Sequence, residues 1–81
     1  MPTLAIIDGI TILMWPNDHP PPHFHVRHAG KTGKFDIMTG RMISGTVDRR
    51  TIAKVERWIP ANRAMLLQAW KTSRPETTTT S

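Results

Sequence analysis

Three histidines and an aspartate crowd around a run of three prolines in "NDHPPPHFHV", residues 17–26. Imidazole nitrogens bind transition metals and exchange protons near neutral pH, and a carboxylate adds an anionic oxygen ligand. Asp18, His19, His23 and His25 are therefore candidate ligands for a divalent metal such as zinc. Zinc takes four ligands, or three and a water where it is catalytic. The spacing matches none of the strongly specific zinc signatures. A metal-free chemistry is also open: His23 and His25 as catalytic general base and general acid, with Arg27 stabilising an anionic transition state such as a cyclising phosphodiester. The same residues have a purely structural reading, in which the prolines turn the chain, Asp18 caps the turn and the histidines face solvent.

Positioning these side chains requires a strand. "HFHVRH" alternates polar and apolar, so Phe24 and Val26 share one face while His23, His25 and Arg27 share the other. The backbones of His23 and His25 then stand about 6.5–7 Å apart, close enough for one ion to bridge the rings. Pro20, Pro21 and Pro22 fix three successive φ angles and stiffen the connector that carries Asp18 and His19. His28 falls on the Phe24 face at the strand end, as an edge residue rather than a ligand.

Around this strand the chain reads as an antiparallel meander of about four to five strands. Residues 3–7 and 10–14 are β-branched, apolar runs joined at Asp8-Gly9, a pair suited to a tight hairpin. "AGKTG" suggests a turn, "KFDIM" a fourth strand, Thr39-Gly40 another turn and "RMISG" a short fifth strand. From Asp48, an expected N-cap, the period becomes helical: Ile52, Val55 and Ile59, then Met65, Leu66, Ala69 and Trp70 beyond Pro60. Proline inside a helix costs about 3 kcal/mol or more, so two C-terminal helices, or one kinked at Pro60, are expected. The fold class is α+β, a small sheet packed by C-terminal helix. Trp15, Trp58 and Trp70 are expected in the core, with Met14, Met38, Met42 and Met65 filling irregular gaps.

Arg49 and Arg50 fall in the first helical turn, where the macrodipole disfavours cations. Either an anion such as phosphate sits between them and the helix start, or Asp48 offsets them and both are solvated. The 81 residues allow one domain, expected over 1–72, with 73–81 a disordered polar tail. A net charge of +5 favours encounter with nucleic acid, anionic metabolites or an acidic protein, although the basic residues form no arginine-rich arm. There is no cysteine, so disulfides and thiolate metal sites are excluded. "MPTLAIIDG" lacks a basic leader and a cleavage site, and no run of roughly 18 apolar residues occurs, so a cytoplasmic protein without membrane association is expected.

The sequence resembles a family of short bacterial proteins, domain of unknown function 4160, over residues 1–70. Its members begin with Met-Pro-Thr, carry Asp-His-x-Pro-Pro-His-x-His-Val and end with two tryptophans spaced over a helical segment. The pattern falls on Asp18, His19, Pro21, Pro22, His23, His25 and Val26, then on Gly40, Gly45, Trp58, Leu66 and Trp70. Members often have Leu-Pro before the helix, where this chain has Val47-Asp48. The resemblance implies a small α+β domain whose gene often neighbours another small uncharacterised domain, as in toxin–antitoxin modules. It brings no established activity, catalytic residue or cofactor.

Two functions follow as expectations. The first is an interaction module of a two-gene, toxin–antitoxin-like system that binds a partner protein, and nucleic acid through Arg27, Arg49 and Arg50. The alternative is a small metal-dependent or histidine-based phosphodiester hydrolase that uses the "DHPPPHFH" cluster. An uncovered edge strand would also invite a homodimer by strand pairing.

Overall fold

A computed structural model describes residues 3–16 and 18–73. Five strands, β1 (Thr3–Ile7), β2 (Ile10–Leu13), β3 (His23–His28), β4 (Lys31–Asp36) and β5 (Met42–Gly45), precede one helix, α1 (Arg49–Thr72). The sheet is antiparallel throughout with order β1-β2-β3-β4-β5, so every strand pairs with its chain neighbour. This is the α+β meander expected, with β3 at its centre.

Two tight turns set the register around β3. Asp8 and Gly9 both adopt positive φ, and so do Ala29 and Gly30, the backbone that matches the twist of a two-residue hairpin. The second turn overturns one expectation: β4 starts at Lys31 rather than at Lys34. The Ala29-Gly30 pair closes the hairpin by itself, which puts Lys31 directly opposite His28. Gly33, expected in the turn, lies within β4. A Cβ there would stand 3.1 Å from Val47 and 3.2 Å from Val26, so glycine admits both side chains.

The helix also departs from the two-helix alternative: α1 is one element of 24 residues with Pro60 inside it. Pro60 deprives the Glu56 carbonyl of its helical donor. The helix continues because Val55, Ile59, Leu66 and Trp70 keep one buried face in phase on both sides of the proline. Asp48 is the N-cap, its carboxylate accepting the Thr51 N–H at 2.8 Å. At the other end Ser73 donates its N–H to the Ala69 carbonyl. Of the tail expected over residues 73–81, Ser73 forms this cap and 74–81 lie outside the described residues.

One face of the sheet and the inner face of α1 form the core, with Ile10, Ile12, Met14, Phe24, Val26, Phe35 and Ile37 against the helical stripe. Phe24 and Phe35 are paired across β3 and β4 and stack with centroids 5.7 Å apart, and Trp58 meets Phe24 edge-on. Burying each such ring contributes about 1.5–3 kcal/mol. Met14 is buried in this core, but Met38 and Met65 are 58% and 41% exposed and fill no gap. Trp15 is likewise exposed, because it follows the end of β2. No helix among the described residues is long and apolar enough to cross a membrane.

Candidate metal centre

The outer face of β3 carries the chemistry. His23 and His25 project from it, and the proline segment returns Asp18 to both rings: Asp18 Oδ2 lies 2.9 Å from His23 Nε2 and 3.1 Å from His25 Nε2. The rings meet edge to face with centroids 5.2 Å apart. Asp18 Oδ1 accepts the His19 N–H at 3.0 Å, which fixes the carboxylate from its other side. The Pro20–Pro21 peptide within this segment is cis.

His23 is the best-determined member. Only 3% of it is exposed, and Trp70 of the last helical turns lies against its ring at 5.2 Å. Its Nδ1 is 2.7 Å from the Pro21 carbonyl oxygen. A carbonyl can only accept, so Nδ1 carries a proton. On a neutral ring the Nε2 lone pair would then face the Asp18 carboxylate, acceptor against acceptor. A second proton, making an imidazolium, relieves this conflict, and so does a cation held between the two atoms. Asp18 does not supply the proton at neutral pH. Burial works against its charged form, but the bonds from the His25 ring and the His19 N–H, and the charge and hydrogen bond of His23, outweigh it and hold the carboxyl below its ordinary range.

Ring Nδ1–H to a backbone carbonyl is the outer contact that usually orients a metal-binding histidine and leaves Nε2 as the ligand. Asp18, His23 and His25 each offer one ligand atom, all within 4.8 Å of one another. Two histidines and one carboxylate with further positions open is a set used by zinc and by non-haem iron.

Of the residues singled out in the sequence, His19 stays apart: it is exposed and outside the three-residue group, and its contribution is its backbone N–H. Arg27 is exposed on the same strand face as His23 and His25, two positions beyond His25. Arg49 and Arg50 are exposed at the helix start, with no acidic side chain in that turn. His28 is remote from the cluster, its Nδ1 3.2 Å from the Gly9 carbonyl oxygen.

Sequence reasoning missed the neighbours. His25 lies directly opposite Lys34 and His23 opposite Asp36, and these two β4 residues line a pocket of about 400 Å³ with Asp18, His23 and Ile43. A signal existed: once Ala29-Gly30 is taken as a two-residue turn, counting outward pairs 25 with 34 and 23 with 36. Trp15, which meets the His25 ring edge-on at 6.1 Å, also borders a separate apolar groove of about 520 Å³ formed with Leu4, Met14 and Ala69.

A small meander with one long covering helix and a histidine–carboxylate cluster on its central strand is thus the class of protein. The chain belongs to the family described as Domain of unknown function (DUF4160), whose model matches residues 9–71. That span contains the whole cluster, all of β3 and β4, and most of α1. No curated protein and no solved structure matches the chain.

Proposed function

We propose that this chain is the chemistry-bearing member of a two-gene, toxin–antitoxin-like module, a domain that binds a divalent metal through Asp18, His23 and His25 and is held by a partner protein. The observation that carries the metal reading is His23, whose two ring nitrogens both face oxygen acceptors. Titration of tag-free protein with zinc, nickel and manganese, followed by NMR at the histidines, tests it. Stoichiometric shifts at His23 and His25 that vanish in His23→Ala/His25→Ala are expected, and silence at micromolar metal would remove the reading.

The partner reading is supported by the outer edge of β1, which pairs with no strand among the described residues and where Ile6 is 67% exposed, and by the apolar groove beside it. Edge strands present a row of unpaired backbone groups that another chain can extend. Co-expression with the product of the neighbouring gene should give a complex that survives gel filtration, and Ile6→Lys should weaken it. Failure of the wild-type pair to associate counts against the module.

The cluster also favours the hydrolase reading. There Asp18, His23 and His25 would hold the ion, which would polarise a water for attack on phosphorus, the ester P–O bond breaking as one proton of that water passes to the leaving oxygen. Arg27, Arg49 and Arg50 would then serve nucleic-acid binding, which a steep salt dependence would report.

A further inference from the structure

Lys34 is a cation that the fold places beside the cluster and leaves uncommitted. It is half-buried in β4, its Cα directly opposite that of His25, and its side chain makes no hydrogen bond or ion pair among the described residues. Lys34 also lines the pocket beside Asp18 and His23, where a bound anion would give its ammonium a partner. We infer that the pocket between Lys34 and the Asp18–His23–His25 cluster is a phosphoryl-oxyanion site that forms only when the cluster holds its divalent ion. This inference rests on the metal reading and names the ligand class of that same site.

The charges decide the condition. Asp18 and Asp36 both line the pocket, so without an ion their two carboxylates offset the charge of Lys34, and that of an imidazolium at His23, and leave no net positive charge to draw an anion. A divalent ion reverses that balance and leaves the loaded pocket net positive. Asp36 is further restrained because its Oδ1 accepts the Thr39 N–H at 2.9 Å, which directs part of its charge into the turn. A tetrahedral oxyanion suits the two cations, with one oxygen taking an open position on the ion and another accepting from the Lys34 ammonium. The pocket volume of about 400 Å³ admits a phosphoryl group together with a substituent. Free phosphate and a phosphodiester of a nucleic-acid backbone share this chemistry.

Linkage makes the inference measurable: an anion that binds only the loaded site raises metal affinity by the factor by which metal raises its own. The experiment is calorimetric titration of nickel into the full chain without anion, with inorganic phosphate and with a dinucleoside phosphodiester, corrected for nickel bound by each probe alone. Wild type should bind nickel about 10-fold more tightly with at least one probe, within the usual range of such coupling. In Lys34→Gln the anion-free affinity should stay near or above the wild-type value while the enhancement disappears, and Lys34→Arg should restore most of it. The probe that gives the larger enhancement identifies the source. Nickel binding that neither probe changes, or an enhancement that survives in Lys34→Gln, overturns the phosphoryl site and leaves the metal reading intact. No nickel binding to wild type, with the fold intact by circular dichroism, overturns both.

Discussion

At the scale of single residues, the clearest departure from the sequence reading is the division within "DHPPPHFH". Four candidate ligands were legible because histidine and aspartate are few in this chain, yet composition cannot say which rings converge. The alternation of β3 selects His23 and His25, and the proline segment returns Asp18 rather than the ring of His19 to them. The burial of His23 was not legible, since it depends on Trp70 from the far end of the chain. The division predicts a difference between variants. His19→Ala should leave metal affinity within a few-fold of wild type, because its contribution to the cluster is a backbone N–H. Asp18→Asn and His23→Ala should each lose more than the roughly 10–100-fold typical of outer-contact losses. Equal losses for all three, measured by competition with a chromophoric chelator, would restore the four-residue set.

At the scale of elements, local signals were strong where one residue type dictates the backbone. Asp8-Gly9 gave the first hairpin and Asp48 gave the helix start. They failed where packing decides, at Gly33, which serves as a strand residue under Val47, and at Pro60, which α1 absorbs. Since Pro60 is exposed and its helix is held by the buried stripe, Pro60→Ala should raise stability by about 1–3 kcal/mol, as a higher midpoint in urea. A lower midpoint would mean that the proline's shape is needed for packing. The N-cap sets a pH dependence. The Thr51 backbone N–H, first, and the Thr51 hydroxyl hold the Asp48 carboxyl below its ordinary value of 3.8, aided by the charges of His28 and Lys31 against a small opposing effect of burial. A depressed folded-state value means that this stabilisation is complete above the unfolded value and is lost as pH falls through the folded one. The melting temperature should therefore drop on acidification below about pH 4, and Asp48→Asn, which keeps an acceptor but does not titrate, should show a shallower drop.

At the scale of the whole molecule, the sheet divides its labour by face. The inner face is closed by α1 and holds nearly all the buried apolar residues, whereas the outer face carries His23, His25, Lys34 and Asp36. That division was half legible: Phe24 and Val26 announced the core, and by alternation they placed the histidines opposite. The pairing of β3 with β4 that adds Lys34 needed the true hairpin register. So small a core has little reserve. Phe35→Ala should cost about 3–5 kcal/mol, a large share of the 5–15 kcal/mol typical of a domain. The variant should be largely unfolded at 37 °C by circular dichroism, while Lys34→Gln beside it should not.

The three candidate ligand residues lie within residues 18–25, a short segment beside the distance in sequence that the contact of His23 with Trp70 spans. Closing so short a loop costs little entropy, so the unfolded chain already brings its ligands near one another. An ion that binds both folded and unfolded chains stabilises the fold only by the ratio of the two affinities. A metal held tightly here would therefore raise the melting temperature less than its affinity suggests. By the same reasoning, a chain still emerging from the ribosome would hold its complete ligand set before β4, β5 and α1 had been made.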